Sequence, residues 1–145
     1  MIFEAPTEWI SPESFPDLKD HKYIAIDLET RDPGLKARGS GALIGDGEIV
    51  GVAVAVEGWS GYYSFGHKEG NFFDEAVVMR WVKEICALPN VKLFHNAMYD
   101  VCWLRAYGVQ INGHIVDTMV MASLVDENRF HYSLNSLSID YLGQV

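Results

Sequence analysis

The sequence has few of the features that mark secreted or membrane proteins. It has two cysteines, Cys86 and Cys102, too few for a disulfide framework or a zinc site, so we expect free thiols in a reducing compartment. No apolar run reaches the roughly 18 residues of a transmembrane helix, and the acidic, proline-containing N-terminus lacks the basic and apolar regions of a signal peptide. These absences predict a cytoplasmic protein with no membrane contact.

Positive charge is also scarce. The chain has 11 Lys and Arg residues against 20 Asp and Glu residues, a formal net charge of −9, and its basic residues form no stripe. This balance repels phosphate at long range and argues against a basic groove for nucleic acid. A nucleic-acid function would need another source of positive charge, and bound metal ions are the obvious one.

The length and composition predict one domain. A chain of 145 residues that is 49% hydrophobic can bury a single core without disulfides or structural metals. Residues 1–20 hold three of the five prolines, and we expect them to be an irregular leader. Regular structure is expected over residues 21–145.

The hydrophobic patterns predict an α/β fold. Strands are expected near 22–29, 49–56, 62–65, 91–94 and 114–117, and helices near 75–88, 97–107 and 118–125 and again after 131. Residues 31–47, rich in glycine, are expected to be a loop. The order gives a mixed sheet, in which three antiparallel strands precede strands joined by helices, with helices flanking the sheet. This layout is similar to the ribonuclease-H-like fold.

Two carboxylates lie on the first predicted strand. Asp27 and Glu29 are two residues apart, so their side chains point to the same face. Adjacent carboxylates on an apolar strand are costly unless a positive group lies between them, and Mg²⁺ prefers carboxylate oxygens. Both are therefore candidate metal ligands. The alternative is that the strand ends near Leu28 and that solvent surrounds both acids.

Asp100 is the third candidate. Asn96 follows the strand at 91–94 and is predicted to cap the next helix, which places Asp100 about one turn inside that helix. If the helix packs beside the first strand, Asp100 reaches the same ion as Asp27 and Glu29. The alternative is an acid that complements the dipole of the helix.

Read jointly, these motifs resemble the DnaQ-like, or DEDD, 3′→5′ exonucleases. The order of the motifs is most similar to the proofreading domains of family A DNA polymerases, especially those of bacteriophages. The resemblance covers residues 20 to 145 and is carried by Ile26-Asp27-x-Glu29-Thr30, His95-Asn96-x-x-Tyr99-Asp100, Val116-Asp117-Thr118-Met119 and Tyr132-Ser133-Leu134-Asn135.

The resemblance implies a function and roles for particular residues. Asp27, Glu29 and Asp100 would be catalytic residues and metal ligands, holding two Mg²⁺ or Mn²⁺ ions that activate water and stabilise the leaving 3′ oxygen. Thr30 would contact the terminal nucleotides, as would Asn96 and Tyr99. The substrate would be a single-stranded DNA 3′ end, with RNA as a second possibility.

The family has a fourth carboxylate in a last motif, and this sequence shows no clear match to it. We therefore expect a C-terminally truncated exonuclease domain, whose native chain continues into a polymerase domain. One alternative takes His95, Ala97 and Asp100 as the last motif and Asp74 as the middle acid. Other stand-ins for the fourth ligand are Asp117 and Asp140.

Three further functions remain open at this point. The first is a standalone exoribonuclease of the RNase D or RNase T type. The second is a catalytically inactive remnant that still binds nucleic acid, and the third is a structural domain with no site. Aromatic residues of the hairpin, Trp59, Tyr62 and Tyr63, suit base stacking but also cross-strand packing.

Overall fold

A five-stranded mixed sheet forms the centre of the fold in the computed structural model, which describes residues 10–143. The strand order is β3-β2-β1-β4-β5; β1 pairs antiparallel with β2, β2 antiparallel with β3, and the β1–β4 and β4–β5 pairs are parallel. The strands are β1 (Tyr23–Arg31), β2 (Glu48–Val56), β3 (Trp59–Ser64), β4 (Val91–Phe94) and β5 (Ile115–Asp117). The predicted α/β class, with a ribonuclease-H-like mixed sheet, is confirmed.

Helices connect and cover these strands. They are α1 (Leu35–Arg38), α2 (Glu75–Ala87), α3 (Ala97–Ala106), α4 (Thr118–Val125) and α5 (Leu134–Leu142), with a 3-10 turn at Gly41–Leu43. The carboxylate of Asp74 caps α2 by accepting from Val77 N at 3.1 Å, as its pattern predicts. Within residues 10–143, no helix is long and apolar enough to cross a bilayer.

The two faces of the sheet differ in what covers them. Along β1 the buried Ile24, Ile26 and Leu28 point into a core that contains the apolar faces of α2 and α3. The alternate residues point the other way, toward a cavity of about 620 Å³ that Asp27, Tyr62, His95, Thr118 and Leu134 help to line. The alternation of a half-buried strand therefore divides β1 into a core face and a polar face.

Residues 10–20 contain no helix or strand, yet they are firmly packed. Leu18 is fully buried, Phe15 stacks on Tyr63 with ring centroids 4.9 Å apart, and Trp81 Nε1 donates to Pro16 O at 3.1 Å. Tyr63 also donates from its hydroxyl to Ser14 O at 2.6 Å. The part of the expected leader at positions 1–9 lies outside the described residues.

The structure differs from the sequence prediction in three places. Strand β1 extends two residues beyond Glu29, to Arg31, and β3 begins at Trp59 instead of Tyr62. The loop at 31–47 also contains the helix α1, in which the Arg38 and Gly39 amides donate to carbonyls four residues earlier, and the 3-10 turn, in which the Leu43 and Ile44 amides donate to carbonyls three residues earlier. Short turns of this kind carry too few residues for a periodic pattern to show.

Candidate active site

Strand β1 carries two of the candidate ligands on one face. Asp27 and Glu29 lie opposite two small residues of β2, Ala53 and Gly51. Because β1 continues to Arg31, the expectation that the strand ends near Leu28 is wrong, while both carboxylates are exposed, as that alternative also expects. Both carboxylates therefore belong to regular strand and share the face away from the core.

A β-bulge interrupts the ladder at this position. The β1–β2 register shifts between Glu29 and Thr30, where β2 has one extra residue, Val50. A bulge bends and twists its strand locally and changes the direction of nearby side chains. The extra residue belongs to β2, and β1 stays paired with β2 on both sides of the bulge, through Thr30 and Arg31.

Tyr62 of β3 lies beside the two carboxylates. Its ring covers Gly51, where an added Cβ would come within 2.1 Å of Tyr62 Oη. Burial raises the pKa of Tyr62 to about 12, and the charges of Glu29 and Asp27 contribute to that rise. Its hydroxyl is hydrogen-bonded to His67 Nε2. Of the hairpin aromatics, Tyr62 reaches the site, while Trp59 and Tyr63 pack in the core.

Asp100 is buried beneath this surface. The residue is 3% exposed, and its Oδ2 has no hydrogen-bond partner. Burial raises the pKa of Asp100 to about 7; the charges of Asp27, Glu29 and Asp117 add to this shift, and a backbone hydrogen bond from Leu28 opposes it. A buried acid among like charges is the arrangement that a cation relieves.

Asp27 and His95 lie at the edge of the cavity. The loss of solvent around Asp27 raises its pKa, and the nearby His95 opposes the shift. The imidazole of His95 is hydrogen-bonded to Thr118 Oγ1 at 2.9 Å and to the carbonyl of Tyr132 at 2.7 Å. It therefore joins the end of β4 to α4 and to the segment that leads into α5.

The donor set suits a hard divalent cation. Carboxylate oxygens are the ligands of Mg²⁺ and Mn²⁺, and the unpartnered oxygen of Asp100 is the kind of atom that such an ion would satisfy. Within residues 10–143, no three His, Cys, Asp or Glu side chains are grouped closely enough to hold one ion as they stand. The charges of Asp27 and Glu29 act on Asp100, but the three side chains do not form a complete coordination shell.

The predicted capping role of Asn96 is wrong. Asn96 has the left-handed backbone conformation (φ 65°, ψ 59°), and its side chain makes no capping hydrogen bond. Asn is among the few residues that tolerate this conformation, which turns the chain sharply from β4 into α3. The cap comes instead from Asp117, which accepts from Asn96 N at 3.0 Å and from Ala97 N at 2.8 Å.

Asp117 also caps the helix that it precedes. Its Oδ1 accepts from Met119 N at 2.9 Å and from Val120 N at 3.4 Å. Although burial opposes the effect, these four backbone N–H donors hold the pKa of Asp117 below its ordinary value. A carboxylate with both oxygens occupied in this way is a poor candidate for the fourth metal ligand.

We expect Asp117→Ala to destabilise the protein by about 2 kcal/mol, because the change removes the caps of α3 and α4 together. Urea denaturation would measure the loss. Asp126→Ala is the matched control, since it removes a carboxylate that accepts an exposed hydrogen bond from Asn128 N, and this change should cost less than about 0.5 kcal/mol. If both variants lose the same amount of unfolding free energy, Asp117 does not cap both α3 and α4.

Thr30 and Tyr99 lie together at the end of β1. Thr30 Oγ1 and Tyr99 Oη are 2.7 Å apart, and Tyr99 donates to Asp32 Oδ2 at 3.0 Å. Burial raises the pKa of Tyr99, and the charge of Asp32 adds to that shift. Sequence reasoning missed Asp32, because a lone acid in a glycine-rich loop has no signal that distinguishes it from a solvated one.

The two other candidates for a fourth ligand, Asp74 and Asp140, make other interactions in the structure. Asp74 caps α2, and Asp140 forms an exposed ion pair with Arg129. His95 immediately follows β4 and Asp100 lies in α3, which is the strand-then-helix placement predicted for the stretch His95-Asn96-x-x-Tyr99-Asp100. The structure therefore favours that assignment of the two residues over the last-motif assignment.

Comparison with known proteins independently supports the resemblance to the 3′→5′ exonucleases. Residues 7–145 match a family model described as 3′-5′ exonuclease. The chain is 28% identical over 130 residues to the DNA polymerase DpoZ of Salmonella phage PMBT28, covering 88% of this chain and 18% of that protein. It is 27% identical over 139 residues to a DNA-directed DNA polymerase of Pseudomonas phage M6, covering 91% of this chain and 21% of that protein. The chain thus spans about a fifth of the length of these curated relatives.

Solved structures share the fold at low sequence identity. Brucella melitensis NrnC with bound Mg²⁺ superposes with a TM-score of 0.61 at 16% identity, covering 89% of this chain and 58% of that one. The catalytic core of RRP6 from Trypanosoma brucei gives a TM-score of 0.60 at 20% identity, covering 88% of this chain and 30% of that one. These two structures share the fold of this chain. The family model, which matches residues 7–145, shows that the chain belongs to the 3′–5′ exonuclease family, in the branch that accompanies family A DNA polymerases.

Proposed function

We propose that this domain hydrolyses single-stranded DNA from the 3′ end, releases nucleoside monophosphates, and serves as the proofreading part of a phage-like family A DNA polymerase. The observation that carries the proposal is Asp100. Its carboxylate is buried, one of its oxygens has no partner, and the charges of Asp27 and Glu29 act on it. Strongly perturbed acids of this kind cluster at functional sites.

Asp27, Glu29 and Asp100 would hold Mg²⁺ or Mn²⁺. When bound, such ions lower the pKa of the attacking water and stabilise the leaving 3′ oxygen. The protein supplies the carboxylates from two rigid elements, β1 and α3, so that their positions do not depend on a loop. The acidic site also explains how a chain with a net charge of −9 can bind a polyanion, since its carboxylates bind cations and the cations bind phosphate.

Thr30, Asn96 and Tyr99 would contact the terminal nucleotides. Asn96 is exposed at the start of α3, while the hydroxyls of Thr30 and Tyr99 are half-buried next to Glu29 and Asp100 in the chain. Thr30 and Tyr99 are thus neighbours in the chain of two of the proposed metal ligands, and Asn96 lies at the start of the helix that carries the third. Their polar groups suit contacts to the sugar and phosphate of a bound strand.

We propose further that residues 21–145 are most of one exonuclease domain and that polypeptide beyond Val145 supplies the fourth carboxylate before the polymerase domain. Support comes from apolar surface that the described residues leave exposed. The cavity next to Asp27 is lined mainly by apolar groups, and α4 and α5 expose Leu124, Val125 and Leu142 by about two thirds or more. A polymerase of this kind would work in the cytoplasm of the infected host cell.

The direct test is the shortening of a 5′-labelled single-stranded DNA in the presence of Mn²⁺. We expect a ladder of products that lose one nucleotide at a time from the 3′ end, because the site processes a terminus. Chelation with EDTA should stop the reaction completely. An RNA of the same sequence, run in parallel, separates a proofreading-type enzyme from an exoribonuclease.

Two results would contradict the proposal. Internal cleavage of a circular single strand would show that the site does not need a 3′ end. Degradation that persists in EDTA would show that the carboxylates do not act through divalent ions. If the folded chain is inactive, the same assay on a protein extended beyond Val145 tests whether a fourth carboxylate restores the activity.

A further inference from the structure

A chain of side-chain hydrogen bonds links the end of β1, the start of α3 and the loop that follows β1. Tyr99 of α3 bonds to Thr30 of β1 at 2.7 Å and to Asp32 at 3.0 Å. The two oxygens of Asp32 each lie 3.1 Å from Gly41 N, so the carboxylate also accepts from the loop backbone. Asp32 is thus the acceptor at which these three segments meet.

The direction of these hydrogen bonds follows from the donor inventory. A carboxylate only accepts, so Tyr99 must give its one hydroxyl proton to Asp32. The proton between Thr30 and Tyr99 must then come from Thr30. The chain of hydrogen bonds therefore runs from Thr30 to Tyr99 to Asp32, and Asp32 determines the orientation of both hydroxyls.

Two of these hydrogen-bonded residues are neighbours in the chain of candidate metal ligands. Thr30 directly follows Glu29, and Tyr99 directly precedes Asp100. Strand β1 pairs with β4 only over Tyr23–Ala25, and its pairing with β2 is shifted by the bulge after Glu29. Beyond Ala25, β1 is therefore paired with β2 alone among the described strands, and side-chain contacts to α3 supply further support at the end that carries the carboxylates.

We propose that Asp32 is a positioning residue that, through Tyr99, holds the start of α3 against the end of β1 and so fixes Asp100 relative to Asp27 and Glu29. This inference rests on the proposed function, because it assigns Asp32 to the support of the same metal site. Asp32 is not itself assigned as a ligand, since both of its oxygens accept hydrogen bonds from the protein. Partners outside a metal's ligands commonly determine the geometry and the affinity of the site.

The loop contact explains why an acid is needed at position 32. Gly41 is buried, and an added Cβ there would lie 1.6 Å from Asp46 O and 2.9 Å from Asp32 Oδ1. The loop therefore packs its backbone directly against the carboxylate. A side chain with two acceptor oxygens can satisfy the Gly41 amide and the Tyr99 hydroxyl together, which a hydroxyl or an amide group does less well.

The test measures Mn²⁺ affinity by isothermal titration of the full chain with Mn²⁺ alone. We expect Tyr99→Phe and Asp32→Ala each to weaken Mn²⁺ binding by about tenfold, the lower end of the usual range for residues that support metal ligands. The double variant should bind no more weakly than Asp32→Ala, because both changes break the same chain of hydrogen bonds. Asp46→Ala is the matched control, as it removes an exposed ion pair to Arg38 in the same loop and should leave the affinity unchanged.

The outcomes separate this inference from the proposed function. If the wild type binds no Mn²⁺, or Asp27→Ala binds it equally well, the proposed metal site is wrong. If Asp27→Ala loses binding while Tyr99→Phe and Asp32→Ala keep the wild-type affinity, the metal site stands and the role of Asp32 is overturned. Additive losses in the double variant would also overturn it. Should Asp32→Ala fail to fold, Tyr99→Phe decides alone, since it removes one oxygen atom and keeps the ring.

Discussion

Asp27→Ala should abolish metal-dependent DNA degradation, with a fall in rate of at least about 10³-fold. Asp27 lies at the edge of the cavity on the polar face of β1, and its charge acts on Asp100. Loss of one charge-stabilising group from a preorganised site commonly costs about two to three orders of magnitude, and here the lost group would also be a metal ligand. The measurement is the rate of 3′ shortening of a labelled single strand in Mn²⁺.

A matched variant separates loss of the site from loss of the fold. Glu57→Gln removes one acidic charge from the exposed turn between β2 and β3, so it changes the net charge by the same amount as Asp27→Ala. We expect it to keep the wild-type rate. Retention of activity by Asp27→Ala, purified in the same way, would show that the assigned carboxylates are not the active site.

Asp100→Asn should make the metal-free protein more stable at pH 8, by up to about 4 kcal/mol. The pKa of Asp100 is raised to about 7 in the folded protein, because of burial and then the charge of Asp27, whereas its ordinary value is 3.8. Each pKa unit corresponds to about 1.4 kcal/mol. The amide has nearly the same shape and carries no charge, so it removes the cost of a buried carboxylate.

The pH dependence follows from the sign of that shift. A raised folded pKa means that the folded state holds a proton that the unfolded state has released, so stability falls as the pH rises between about 4 and 7. The difference in unfolding free energy between Asp100→Asn and the wild type should therefore be near zero at pH 4 and reach its maximum above pH 7. Urea denaturation in EDTA at several pH values measures it. A constant difference across this range would contradict the raised pKa.

Metal should narrow the difference in stability between the two proteins. A ligand that binds only the folded state stabilises it by mass action, about 2.7 kcal/mol at one hundred times its dissociation constant. Added Mn²⁺ should therefore raise the melting temperature of the wild type and have little effect on Asp100→Asn. If Asp100→Asn is more stable than the wild type and insensitive to metal, then the buried, cation-binding carboxylate of Asp100 lowers the free energy of unfolding of the metal-free wild type.

Much of the fold follows from local patterns. Strand β4 and helix α4 have the predicted bounds, and α2 begins after its predicted cap Asp74. These elements combine strong hydrophobic periodicity with clear end signals, so each is specified by its own residues. The two-residue spacing of Asp27 and Glu29 likewise suffices to predict that both side chains share one face of β1.

The Asn96 cap could not be predicted correctly from sequence. Asn after a strand and before a helix is a common capping signal, and nothing local distinguishes a side-chain cap from a left-handed turn. The outcome depends on Asp117, 21 positions later in the chain, whose carboxylate reaches the amides of Asn96 and Ala97. Parallel pairing of β4 with β5 brings Asp117 beside Phe94, and that pairing is a long-range contact.

The identity of the ligand candidates, the order of the elements and the resemblance to the exonucleases all follow from residue types and their spacing along the chain. The burial of Asp100 among the charges of Asp27, Glu29 and Asp117, and the contact of Asp32 with Tyr99, follow from packing instead. Spacing encodes which face of an element a residue occupies, since that depends on local backbone geometry alone. Which faces then meet, and which carboxylate loses its water, depends on contacts between residues far apart in sequence, and no local pattern records those.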